Sequence, residues 1–147
     1  MDKMDKTYFA NIPETVSIWN GCGVQELREK VYRYYKDNFK GLKVQNKHIG
    51  ITVVFSMASG RKTARGEAMY HKKAEIAKII PAILENAKFN NFGARKPSDP
   101  KDVIGYLNFK GKCRLDGRIE NVRIAVQFQK NAKFYYNIEV NKIVVGP

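Results

Sequence analysis

Two apolar runs near the end of the chain restrict its fold more than any other feature. Val122, Ile124, Val126 and Phe128 alternate with other residues, and so do Phe134, Tyr136, Ile138 and Val140. A period of two predicts half-buried β-strands. Opposed residues of an antiparallel pair lie on the same face. Burying both sets together therefore requires a connection of odd residue count around Lys130-Asn131-Ala132. The simplest register sets Phe128 against Phe134, Gln127 against Tyr135 and Arg123 against Glu139. A slip of one residue would turn the whole apolar set to solvent, so the register is tightly specified.

The rest of the chain supplies what must cover that sheet. From Val24, the residues Leu27, Val31, Tyr34 or Tyr35, and Asn38 recur at helical spacing, and Gly41 can end the helix. Residues 42–47 read as a short strand and residues 49–56 as a better one, in which Ile49, Ile51, Val53 and Phe55 alternate. Residues 57–66 contain two glycines among basic and hydroxyl side chains and read as a loop. A second helix is expected from about Ala68 to Lys88. Its apolar side carries Met69, Ile76, Ile80, Ile83 and Ala87, and its polar side carries His71, Glu75, Lys78 and Glu85. Pro81 should kink it or restart it. Residues 93–100 read as a second loop, followed by strands at about 103–110, 118–129 and 133–145.

The expected class is α+β. An N-terminal helix and a kinked central helix pack on a twisted antiparallel sheet that ends in a three-stranded meander. At 147 residues the chain fits one domain, residues 24–147, preceded by an extension, residues 1–23.

Charge narrows the classes of partner. Lysine and arginine number 27 against 14 acidic residues, a net charge of +13. Such a field draws polyanions, although acidic lipids or acidic proteins would answer it too. The basic and hydroxyl groups concentrate between Ser56 and Lys73, where a strand end, a glycine-containing loop and a helix start meet. Arg61, Lys62, Arg65, Lys72 and Lys73 all lie there. Backbone N–H groups in loops and at helix starts favour phosphate oxygens. The P-loop pattern is absent, and a solvated basic loop would contain the same residues.

His71 could move a proton near neutral pH, as 2′-hydroxyl attack on an RNA phosphodiester requires, and the neighbouring lysines could stabilise charge on the phosphorus centre. It could equally be a surface histidine paired with Glu75 one turn away. Tyr135 falls on the face of its strand away from the core, with Gln127 and Arg123. An aromatic ring beside amide and guanidinium groups suits unpaired bases, unless the second helix packs over that face.

The two cysteines, Cys22 and Cys113, form no CxxC pair, and no metal-ligand cluster or HExxH motif appears, so neither a metal nor another cofactor is expected. No run approaches the ~20 apolar residues of a membrane span. The N-terminus lacks the apolar centre of a signal peptide. The expected location is the cytoplasm, or another cell reached without a cleavable signal.

The run "ITVVFSMASGRKTARGEAMYHKKAEIAKIIPAILENAKF", followed by "VIGYLNFKGKCRLDG" and "NVRIAVQFQKNAKFYYNIEV", resembles a known family. It looks like the small nuclease-like domains of phages and bacterial mobile elements in the barnase–EndoU–colicin–RelE superfamily, in particular the large polyvalent-protein-associated members. The resemblance covers roughly residues 25–145. It implies a helix-plus-antiparallel-sheet fold and a toxin-like hydrolase that cleaves RNA without metal, through a cyclic phosphate. The positions matching the basic loop and helix start are Ser56, Lys62, His71 and Lys73. The implied partners are RNA or DNA, and an antitoxin or another phage protein, with no membrane. A binding module without chemistry, or a phage accessory factor that meets an acidic partner, fits the same residues.

Overall fold

A computed structural model describes residues 12–56, 71–137 and 144–146. Among the described residues the elements are β1 (Glu14–Thr15), α1 (Val24–Asn38), β2 (Lys43–Gln45), β3 (Thr52–Ser56), α2 (His71–Ala77), α3 (Ile80–Asn86), β4 (Lys88–Ala94), β5 (Val103–Leu115), β6 (Arg118–Gln129), β7 (Phe134–Asn137) and β8 (Val144–Gly146). The fold is α+β, as the sequence predicts.

All eight strands belong to one sheet. Its main path runs β1-β5-β6-β7-β3-β2, with β4 also paired to β5 and β8 also paired to β6. The sheet is mixed, because β1 pairs with β5 and β3 pairs with β7 in parallel.

The hairpin register follows from the apolar alternation. Phe128 is the partner of Phe134 and Gln127 that of Tyr135. The two phenylalanine rings stack with centroids 4.9 Å apart. Further along, the expected pairing fails. Arg123 is the partner of Val144, not Glu139, because β8 takes over from β7 beside β6 in a shifted register. Ile138, Glu139 and Val140 lie outside the described residues.

One face of the sheet carries the core. Phe109, Cys113, Val122, Ile124 and Val126 join Leu27, Val31, Tyr35, Ile76, Ile80, Ile83 and Leu84 in a single buried cluster, so all three helices pack on the same face. On α1 the stripe closes with Phe39, not with the exposed Asn38. Gly41, at φ +77°, then reverses the chain at a left-handed position that costs glycine little. The expected break near Pro81 is present: α2 stops at Ala77, and α3 starts with the proline in its first turn, where its missing N–H is not needed.

One segment takes a different secondary structure from the one expected. The helix ends at Asn86, and Lys88–Ala94 is a strand where the residue pattern predicts a helix end and a loop. A register shift between Phe89 and Asn91 explains the difference. The bulge adds a residue, so Phe89 and Phe92 share a face at a spacing of three, which hides the alternation of a strand. At the same end of α3, buried Asn46 stitches the β2–β3 turn to the helix. Its amide donates to the carbonyls of Leu84 (2.7 Å) and Ala87 (2.8 Å). Its oxygen accepts from the N–H groups of His48 and Ile49.

Gly111 marks where α3 meets the sheet, because a Cβ there would lie 2.6 Å from Ile83 Cγ2. Gly111→Ala is expected to cost about 1–3 kcal/mol by overpacking. Chemical denaturation of the two proteins measures it, and an unchanged midpoint would show that helix and strand separate freely.

Candidate functional site

The candidate residues fall into two groups, and the sheet separates them. Tyr135 and Arg123 lie on the face away from the helices, since Phe134 and Tyr136 on one strand and Val122 and Ile124 on the other point into the core. His71, Lys72 and Lys73 open α2, on the helix side. The helix start therefore does not face the sheet surface around Tyr135: inward and outward residues alternate on β6 and β7, and the helices take the inward side. Arg61, Lys62 and Arg65 lie outside the described residues. Ser56 ends β3 half-buried, and its backbone carbonyl accepts a hydrogen bond from the Tyr35 hydroxyl (2.8 Å).

At the helix start the polar side of α2 is not the solvated face the sequence suggested. Glu75 is fully buried and Lys78 is 7% exposed. The reason is that residues 13–19 cross this face as a strap. Glu75 Oε2 accepts the N–H groups of Ile18 (2.9 Å) and Trp19 (2.8 Å). Lys78 Nζ lies 2.6 Å from Glu75 Oε1 and donates to the Val16 carbonyl at 2.8 Å. It also stands 5.1 Å from the centroid of the Trp19 ring. The strap pairs with β5 through β1, and the Ser17 N–H and hydroxyl both donate to the Asp116 carboxylate, at 2.7 and 2.5 Å. Those two bonds hold the Asp116 carboxyl below the usual carboxylate range.

His71 belongs to this cluster. Its Nε2 lies 2.8 Å from the Trp19 carbonyl oxygen and 3.7 Å from Glu75 Oε2. A carbonyl can only accept, so Nε2 carries a proton. Nδ1 has no hydrogen-bond partner among the described residues, and about a third of the side chain (35%) is exposed. The pairing with Glu75 that the helical spacing suggested is present, with the Trp19 carbonyl as a closer partner. Lys72 is drawn into an ion pair with Glu120 at 2.8 Å, which offsets its charge. Lys73 is half-buried.

The open face of the sheet carries the other group, and no helix covers it among the described residues. Gln127 is only 5% exposed and accepts from Gln129 Nε2 at 2.8 Å, so it braces its neighbours more than it presents an amide. Beside it, burial pushes the Tyr106 phenol up to about 12. Tyr135 is half-buried and Arg123 exposed.

The residue pattern did not reveal the cations that accompany Arg123. In register across three strands, Lys88 is the partner of Lys110 and Lys110 the partner of Arg123, and all three are exposed. Like charges set directly opposite one another destabilise a sheet, and a polyanion laid across them would relieve that. The adjacent row carries amides, with Asn108 Nδ2 donating to Asn91 Oδ1 at 2.8 Å. Strand periodicity at Lys110 and Lys112 was the available signal. The expected strand stopped at residue 110, whereas β5 runs on to Leu115.

Among the described residues no group of histidine, cysteine, aspartate and glutamate is placed to hold a metal ion, and no helix is long and apolar enough to cross a membrane. Residues 23–136 match the family model described as large polyvalent protein-associated domain 3. No curated protein and no solved structure matches the chain.

Proposed function

Starting from the fact that this chain belongs to the large polyvalent protein-associated domain 3 family, we propose that it binds nucleic acid, with RNA as the preferred ligand, and cleaves it without metal. The observation that carries the binding is the cross-strand row Lys88–Lys110–Arg123 on a sheet face with no helix over it among the described residues. Within the row Lys110 and Arg123 oppose like charges at the cost of sheet stability, and phosphates offset that cost. Tyr135, further along the same face, offers a ring on which a base can stack. Double-stranded ligands meet the same cations but keep their bases paired and gain less from the ring, and DNA lacks the 2′-hydroxyl that the cleavage step below uses.

Cleavage belongs to the helix start, with the chemistry that the likeness to the barnase–EndoU–colicin–RelE superfamily implies. His71 takes the 2′-hydroxyl proton. The 2′-oxygen attacks phosphorus, the bond to the 5′-oxygen breaks, and a cyclic phosphate remains. The departing oxygen takes its proton from water. Lys62 and Lys73 hold the charge that develops on the phosphate, and Arg61 and Arg65, from the same stretch of sequence, contact the RNA. Ser56 stands at the strand end from which that basic segment leaves.

A purified sample with excess chelator is expected to cleave RNA, and His71→Ala to lower the rate at least ~100-fold, the usual range for losing a general base. Equal rates in the two proteins remove His71 from the mechanism. Salt-sensitive binding that yields no product leaves a binding module without chemistry, the reading that the Lys72–Glu120 pair favours by offsetting a cation at the helix start. An antitoxin or another phage protein would act by covering either surface.

A further inference from the structure

We infer that Nδ1 is the working nitrogen of His71, and that the strap carbonyl of Trp19 and the buried carboxylate of Glu75 are the groups that orient it. The inference rests on the proposed proton transfer at His71, but its geometry stands independently. The Trp19 carbonyl, 2.8 Å from Nε2, admits only a protonated nitrogen there. A neutral imidazole has one proton, so Nδ1 keeps the lone pair.

Trp19 is itself fixed. Its N–H donates to Glu75 Oε2 at 2.8 Å, and the residue is 9% exposed. One carboxylate therefore seats the strap and lies 3.7 Å from the Nε2 that the strap holds. When Nδ1 accepts the 2′-hydroxyl proton, the new imidazolium gains that nearby negative charge. Glu75 touches no substrate in this scheme and is a positioning residue, as is Trp19 through its carbonyl. The strap segment is thus part of the site, although the sequence separates Trp19 from His71 by 52 positions.

The expected result has two parts, neither of which needs RNA. Nitrogen-15 NMR of the full chain at about pH 8 should show His71 with a proton on Nε2 that exchanges slowly enough to be observed. His48→Gln assigns the signal, since the chain has two histidines. Alkylation with bromoacetate should then place the carboxymethyl group of His71 on Nδ1. In a Ser17→Ala, Asp116→Asn variant the strap loses the exposed anchor seen at 2.5 and 2.7 Å. The Nε2 proton should then exchange faster, and Nε2 should be alkylated as well.

A Nδ1-protonated imidazole in the wild type, or alkylation there at Nε2, overturns the inference. So does a doubly substituted protein whose His71 exchange and alkylation pattern match the wild type. If that variant is unfolded by circular dichroism, Asp116→Asn alone takes its place, and a wild-type exchange and alkylation pattern in it overturns the inference equally. The proposed function fails separately, by the absence of cleavage or by full activity in His71→Ala. Nδ1 alkylation in a chain that cleaves nothing would keep the geometry and discard the reaction.

Discussion

Replacing Lys110 and Arg123 together with glutamate is expected to weaken binding of a short single-stranded RNA by about 2–3 kcal/mol, roughly 30- to 150-fold. Each ion contact at about 4 Å is worth ~1 kcal/mol in water, and reversal adds repulsion to the loss. The slope of log affinity against log salt should flatten by about 1.4, because each phosphate contact to a single strand contributes about 0.7. Both residues are exposed on adjacent strands as direct partners, and their stems cover no core. The fold should therefore survive, because the exchange replaces one like-charged pair by another and sets an opposite charge against Lys88. Fluorescence anisotropy at several salt concentrations makes the measurement, with Lys36→Glu, Lys40→Glu on and just after α1 as the control for net charge alone. An equal loss in the control would mean that the chain's +13 charge, not the sheet face, attracts the ligand.

The second large effect concerns stability. Glu75→Ala leaves Lys78 buried without its carboxylate and leaves the N–H groups of Ile18 and Trp19 without an acceptor. Removing one partner of a buried ion pair costs about 3–5 kcal/mol. In a domain of this size that lowers the melting temperature by about 6–20 °C. Glu75→Gln keeps an oxygen for the two backbone N–H groups and should lose less. A loss under ~1 kcal/mol in Glu75→Ala would show that the strap contributes little to the folded state. Tryptophan fluorescence distinguishes a released strap from global unfolding, since the single tryptophan, Trp19, lies in the strap.

These two expectations divide the molecule by what could be read in advance. The hairpin was legible because burial and period fix it: Phe128 opposite Phe134 is the register that keeps both apolar sets inside. The α2–α3 break was legible because Pro81 lacks a donor. Strand β4 was not, since a bulge between Phe89 and Asn91 erases the alternation that marks a strand. Of the candidate site, His71 was recognisable by residue type, and its pairing with Glu75 by helical spacing. Its closer partner was not, because a backbone carbonyl has no sequence signature.

Residue type and local period are written along the chain, and they suffice for the α+β class, the register at the turn end of the last hairpin, the restart at Pro81 and the surplus of positive charge. They do not suffice for the burial of Glu75 and Lys78, for the hold of residues 13–19 on the His71 ring, or for the single row of Lys88, Lys110 and Arg123. Each of these joins segments far apart in sequence, and only the docking of the strap and the pairing of three strands brings them together.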